Sequence, residues 1–227
     1  MVPDDSLRFA DRAEAGLALA DQVGLYLREH GITERPLVLG MSPGGVPVAA
    51  EVAHALGADL DIIVVATICS PWHPGQGVAA VAENGPLVIN HDALTRADLS
   101  PHDLAPLLAA QRVEVERLAH RYRDGREMPT VTDRVVVLVD DGMQTGVRAR
   151  AALRALHAAL PAHLIFATPV CAAESSTSLE IEADGLVHVR CPCCFSATGL
   201  WYRDIHDVTD DEVMAVMNDS RHLTAAL

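Results

Sequence analysis

Between residues 11 and 30, apolar residues recur every three to four positions, which predicts an amphipathic helix. Asp11 stands where an N-cap belongs, and Gly31 where the helix should stop. The pattern then changes period. LVLGM at 37–41 is an unbroken apolar run suited to a strand covered on both faces. After SPGG, VPVAAEVAHAL returns to helical spacing and ends at Gly57. LDIIVVA at 60–66 reads as a second strand. TICSPWHPGQGV at 67–78 holds two prolines and two glycines and reads as a long loop. LVIN at 87–90 is a further strand, and residues 102–123 form a long helix rich in Arg and Glu. The uniformly apolar run at 135–139 is a strand, and a helix is expected from about 146 to 159. HLIFATPV at 163–170 is a strand, 173–183 a weaker helix, and LVHVR at 186–190 a last strand. A final helix at 210–217 follows Thr209, with Glu212 placed to complete a capping box.

Strands alternating with helices predict an α/β fold: a mostly parallel central sheet with helices on both faces. In such sheets ligands sit at the carboxyl ends of the strands. The loops 42–45, 67–78, 140–146 and 191–199 are therefore the expected site walls. No internal repeat or low-complexity segment interrupts the chain, and its 227 residues suit one compact domain, 1–227.

Composition narrows the chemistry. The formal charge of −14 argues against a nonspecific hold on nucleic acid or an anionic membrane. No apolar run reaches membrane-span length, and MVPDDSLRFADR lacks a signal-peptide core, so a cytoplasmic protein is expected. Lysine is absent, which excludes a Walker or Schiff-base lysine. A bound phosphate must then be held by Arg, by backbone N–H groups or by a metal ion. The cysteines, five in number, fit reduced thiols better than a disulfide framework.

The most informative stretch is VVLVDDGMQTGVRAR, 136–150. A strand apolar throughout delivers Asp140 and Asp141 side by side at its carboxyl edge. Two adjacent carboxylates repel, and burying them unpaired is costly. They are tolerable facing solvent, a cation or the hydroxyls of a sugar. The turn GMQTG then opens a helix, whose free N–H groups and dipole favour an anion, with Thr145 adding a hydroxyl. Acceptors for sugar hydroxyls beside donors for phosphate suit a sugar phosphate. An ordinary strand-to-helix turn with an Asp cap would leave the same pattern. Ser42-Pro43-Gly44-Gly45 likewise follows a strand and opens a helix, so it too can present N–H groups to an anion.

An apolar run, two acids and a turn ending in Thr-Gly resembles the diphosphoribose-binding signature of type I phosphoribosyltransferases. FADRAEAGLALA, LVLGMSPGGVPVAAEVAHALGADLDIIVV, AVAENG at 80–85 and GLWYRD at 199–204 are similar to a bacterial subgroup of that family, over residues 8–217. The resemblance implies a Rossmann-like type I phosphoribosyltransferase fold with a small hood, placed at about 91–125 and in the C-terminal segment 199–227. It also implies a reaction: transfer of ribose 5-phosphate from phosphoribosyl diphosphate (PRPP) to a nitrogenous acceptor, with Mg²⁺ as cofactor and release of diphosphate. By resemblance, Asp140 and Asp141 are the catalytic acids that bind the ribose hydroxyls and organise Mg²⁺. Gly142, Met143, Gln144, Thr145 and Gly146 cradle the 5-phosphate, and Ser42, Pro43, Gly44 and Gly45 form the diphosphate loop. That loop often carries a cis peptide in the family, and an X-Pro bond adopts cis far more readily than others, so a cis Ser42–Pro43 bond is expected. A homodimer is expected on the same ground.

The chain departs from the subgroup pattern near the anion. Pro43 stands where an Arg is usual, Ala66-Thr67 where Arg-Lys is usual, Gln144 where a small residue is usual, and Arg148 where Thr or Ser is usual. At least three cations are lost and one is gained. Each lost charge-assisted phosphate contact costs about 1.5–3 kcal/mol. Two readings follow. One is a transferase in which Arg148 and loop residues such as His73 replace the missing cations. The other is a catalytically degenerate protein that binds a nucleotide or sugar phosphate, or serves a partner, without transfer.

Other features admit plainer explanations. Trp72 and His73 could form a lid with His73 as acid or base, or a surface connection with a packed Trp. CPCC pairs Cys191 with Cys194 around Cys193, but a zinc site would need His188 or His206. FSATGLW does not supply the helix that follows a redox motif, so unligated thiols near the pocket are the expectation. Trp201 and Tyr202 fit core packing better than base stacking, and Arg residues of 112–126 pair with Glu114 and Glu116 on a solvated face or a dimer contact.

Overall fold

The computed structural model describes residues 3–70 and 72–225. In chain order the elements are α1 (Arg12–Glu29), β1 (Leu37–Met41), α2 (Gly45–Leu56), β2 (Asp59–Ile63), β3 (Val65–Ser70), β4 (His73–Ala82), β5 (Leu87–Ile89), α3 (His91–Arg96), α4 (Leu104–Tyr122), β6 (Val135–Val139), α5 (Val147–His157), β7 (His163–Val170), α6 (Ala173–Leu179), β8 (Gly185–Arg190) and α7 (Asp210–Ala225). Among these, five strands form a parallel sheet in the order β2-β1-β6-β7-β8. Three more form an antiparallel sheet, β3-β4-β5.

The apolar run 135–139 is central because it is buried at every position, with β1 on one side and β7 on the other. Side chains alternate between the two faces of a strand. Val136 and Leu138 join Leu37, Leu39, Leu164 and Phe166 beneath α5. Val135, Val137 and Val139 join Val38, Ile165 and Val187 beneath α1 and α2. The doubly covered sheet expected from sequence is therefore present. The caps are also where the residue types place them. The Asp11 carboxylate accepts from the Glu14 amide at 2.9 Å, and Gly57 adopts a left-handed conformation after α2. Thr209 and Glu212 exchange bonds at the start of α7: the Thr209 amide donates to Glu212 Oε2 at 2.7 Å, and the Glu212 amide to Thr209 Oγ1 at 3.3 Å.

Residues 67–70 and 73–78, read as part of a loop, are strand. The segment read as one strand at 60–66 breaks at Val64, and its continuation pairs with β4 as an antiparallel hairpin. Pro74, Gly75 and Gly77 fall within β4 itself, next to register shifts on either side of Cys69, and Pro71 lies outside the described residues. Residues 91–96 form the helix α3, where only a hood was expected, and α7 runs beyond residue 217. Of the expected hood segment 91–125, α3 packs on the small sheet, while α4 lies against β2, β3 and α7.

Arg123, just past α4, is buried and bridges Asp61 on β2 at 2.7 Å to Glu83 after β4 at 2.5 Å. Its guanidinium also donates to the Ile62 carbonyl at 2.6 Å. This ion cluster fixes the small sheet against the large one. No helix of the described residues is long and apolar enough to cross a membrane.

Candidate functional site

The carboxyl ends of β1 and β6 bring the two candidate loops into contact. A Cβ on Gly45 would lie 2.5 Å from the Val139 carbonyl, and one on Gly44 would overlap the Asp141 carboxylate. These two glycines are therefore required by close approach of the 42–45 loop to the acid turn. The Ser42–Pro43 bond is cis, as expected. The Ser42 amide donates to the Ile63 carbonyl at 3.1 Å, and its carbonyl accepts from Arg148 Nη2 at 2.6 Å. Arg148 thus braces the two loops together.

The paired acids differ in environment. Asp141 is held by Arg12 at the start of α1, whose Nε and Nη2 donate to Oδ2 at 3.0 and 2.9 Å. Tyr202 Oη donates to the Asp141 carbonyl at 2.6 Å, which joins the GLWYRD segment to the same turn. Asp140 is buried, and its Oδ1 has no hydrogen-bond partner. Burial pushes its carboxyl up to about 7, and the neighbouring Asp141 charge adds to the rise, while Arg148 and Arg12 act in the opposite sense. A buried, unpartnered carboxylate oxygen is costly unless it meets a cation or a hydroxyl.

That oxygen belongs to a residue lining an open hollow of about 350 Å³. Its floor is the turn 142–149. Gly146 is in the left-handed conformation, and no side chain caps α5, so the first-turn amides of that helix are left for a ligand or solvent. The guanidinium-bearing Arg148 lines the hollow, with Thr145 beside it. Arg148 Nε is buried and has no partner. The lining is completed by Thr67 and Gly77 of the β3–β4 hairpin, by Arg96 of α3, and by Thr198, which packs on Gly142. The hollow therefore combines a helix N-terminus, cations and one acceptor carboxylate, the donor set for a sugar phosphate or another polyhydroxy anion.

The predicted residues are gathered here unequally. Gly142, Gln144, Thr145, Gly146 and Arg148 line the hollow with Asp140. Gly142 is packed under Thr198, leaving no room for a Cβ. Met143 also borders it, but its side chain is buried in the core and its amide donates to the Val170 carbonyl at 2.9 Å. That amide is not available to a phosphate. The Gln144 side chain turns to the Ser196 carbonyl at 2.9 Å. Trp72 is exposed at the hairpin tip, and the His73 side chain lies outside the described residues. Three participants were not foreseen. Arg12 lies within FADRAEAGLALA, but its partner is 129 positions away. Arg96 comes from a segment whose pattern carries no ligand signal, and Thr198 lies in the expected wall 191–199 but was not singled out there.

A second hollow of about 420 Å³ is lined by Arg12 together with Asp11, Asp204, His206 and Glu212 among others. His206 is paired with Glu212 at 2.9 Å. Its carboxylates make it a poor place for an anion.

Comparison with known proteins gives the family. The family model for the phosphoribosyl transferase domain matches residues 18–188. Proteins of two Mycobacterium tuberculosis strains, provisionally named phosphoribosyl transferases, are 34% identical over 210 residues, or 92% of this chain. Those residues make up 46% of each mycobacterial protein, so the chain spans about half the length of these relatives. The crystal structure of TT1426 from Thermus thermophilus is 37% identical, superposes with a TM-score of 0.74, and covers 93% of this chain and 98% of its own. With the acid turn, the uncapped helix and the parallel sheet in their expected places, the chain belongs to the phosphoribosyl transferase domain family.

Proposed function

We propose that the chain transfers the 5-phosphoribosyl group of PRPP to a nitrogenous acceptor, releasing diphosphate. The observation that carries this reading is the meeting, in one hollow, of the uncapped α5 N-terminus, Arg148 and the unpartnered Asp140 carboxylate. In this reading the amides at the start of α5 and Thr145 hold the 5-phosphate, and Asp140 accepts from the ribose hydroxyls. Gly44 and Gly45 turn the start of α2 toward the diphosphate. The C1–O bond breaks through an oxocarbenium-like state, the diphosphate leaves with the bonding pair, and the acceptor nitrogen forms the new bond. Catalysis is then largely positioning and charge stabilisation.

Mg²⁺ fits the residues present: the orphan Asp140 oxygen would hold it, directly or through the ribose, and the ion would neutralise charge developing on the diphosphate. Asp141 assists by orienting the turn, since Arg12 engages its carboxylate. Arg148 and Arg96 supply positive charge where Pro43, Ala66 and Thr67 do not. The β3–β4 hairpin, with Trp72 at its tip, serves as the lid, and two copies of the chain form a homodimer.

A second reading is favoured by one observation: Arg12 and Arg148 are already committed within the protein, to Asp141 and the Ser42 carbonyl. On this reading the site holds a nucleotide or sugar phosphate without transfer. Calorimetry with PRPP and Mg²⁺, run beside nucleoside monophosphates and coupled to a diphosphate-release assay over a panel of nitrogenous acceptors, separates the two. PRPP binding with acceptor-dependent diphosphate release supports transfer. Tight nucleotide binding without release supports the second reading, and binding of neither class rejects both.

A further inference from the structure

Outside the hollow, three metal-ligating side chains converge behind the acid turn. Cys171 follows β7, His188 lies on β8, and Cys191 follows β8. Their ligand atoms all lie within 4.8 Å of one another. The strand register explains the meeting. β7 and β8 run parallel, with Thr168 beside His188 and Val170 beside Arg190, so the residues just beyond their ends meet at one edge. Cys171 is fully buried, and His188 and Cys191 are half-buried. Neither His188 nitrogen has a hydrogen-bond partner among the described residues, so either one is free to ligate while solvent meets the other. The Cys191 thiol lies 3.9 Å from Ser176 Oγ on α6, which covers the cluster.

We propose that Cys171, His188 and Cys191 bind one divalent metal ion of the zinc class through two thiolates and one imidazole. Soft sulfur with imidazole selects such an ion over Mg²⁺ or Ca²⁺. In a tetrahedral zinc shell the ligand atoms stand about 3.5–3.8 Å apart, so small side-chain rotations close this set around an ion. Both thiols lose their protons to solvent on binding, and the fourth position is taken by water. Cys193 and Cys194 are exposed and are not ligands.

The site's place gives it a structural role. Cys171 forms a parallel bridge with Met143, whose carbonyl accepts from the Ala172 amide at 2.9 Å. Met143 in turn begins the turn that lines the hollow. An ion held across β7 and β8 therefore braces the phosphate turn from behind, whatever ligand the hollow takes.

The test uses the full chain, purified under reductant, stripped with chelator and titrated with Co²⁺ and then Zn²⁺. The expected result is one Co²⁺ per chain with sulfur-to-cobalt charge-transfer absorption, displaced by Zn²⁺, and a rise in thermal midpoint on metal addition. Because Cys171 is fully buried, the half-buried positions carry the variants. His188→Asn and Cys191→Ser should each weaken Co²⁺ by more than about a hundredfold. The double variant Cys193→Ser/Cys194→Ser should bind as the unaltered protein does. Absence of the sulfur–cobalt band in the unaltered protein overturns the proposal. So does metal that persists in His188→Asn and is lost in the double variant, since it then sits on the exposed thiols.

Discussion

Replacing Asp140 by Asn removes one specific source of pH dependence from the protein's stability. In the native chain Asp140 keeps its proton up to about pH 7, whereas in the unfolded chain it is released near the ordinary value of 3.8. Between those values the unfolded state binds fewer protons, so each rise in pH favours unfolding. One pH unit over that interval is worth about 1.4 kcal/mol, and the full span comes to about 4 kcal/mol once the pH exceeds the native value. Of this, about 2 kcal/mol is lost between about pH 5.5 and about pH 8. The substituted amide would not titrate, so Asp140→Asn should lose about 2 kcal/mol less than the unaltered protein over the same interval. Any cost of the unpartnered amide is present at both pH values and cancels, as do the histidines common to both proteins. The measurement is urea unfolding at the two pH values in chelator without ligand, followed by the fluorescence of Trp72 and Trp201. Parallel losses in the two proteins would show that Asp140 ionises normally, and that its burial without a partner is not a property of the folded chain.

Three further outcomes follow from the geometry. Arg148→Met should weaken ribose 5-phosphate about 10- to 150-fold by calorimetry, the equivalent of one charge-assisted contact, and an unchanged affinity would remove Arg148 from the site. Gly44→Ala places a methyl group against the Asp141 carboxylate, so it should cost about 1–3 kcal/mol in urea unfolding and reduce ribose 5-phosphate affinity with it. Arg123→Met leaves Asp61 and Glu83 buried without their cation and should cost about 3–5 kcal/mol at neutral pH by the same unfolding assay.

The central sheet was legible because burial imposes a period. Residues 37–41, 135–139 and 163–170 could only be covered strands, and the helices α1, α2 and α7 carry caps at Asp11, Gly57 and Thr209 that the residue types announce. The β3–β4 hairpin was not legible. Its register shifts and its Pro and Gly residues break the alternation that marks a strand, and its pairing is set by the partner strand. At the site, the acid turn could be read because its signal is contiguous. The difference in environment between Asp140 and Asp141 could not. It depends on Arg12, which reaches Asp141 from another element, and no local pattern encodes a contact across 129 positions. The trio of Cys171, His188 and Cys191 was half visible. The sequence pointed to Cys191 and His188, but it paired Cys191 with Cys194, and Cys171 joined only through the strand register.

The central claim is that the first turn of α5 holds a phosphate while Asp140 grips the attached pentose. The most direct measurement is a crystal structure of the chain with ribose 5-phosphate at a concentration that saturates it in solution. The account predicts the phosphate on the amides that open α5, beside Thr145, with ribose hydroxyls donating to Asp140 Oδ1. Ribose 5-phosphate bound elsewhere, with the Asp140 oxygen still unpartnered, would contradict it.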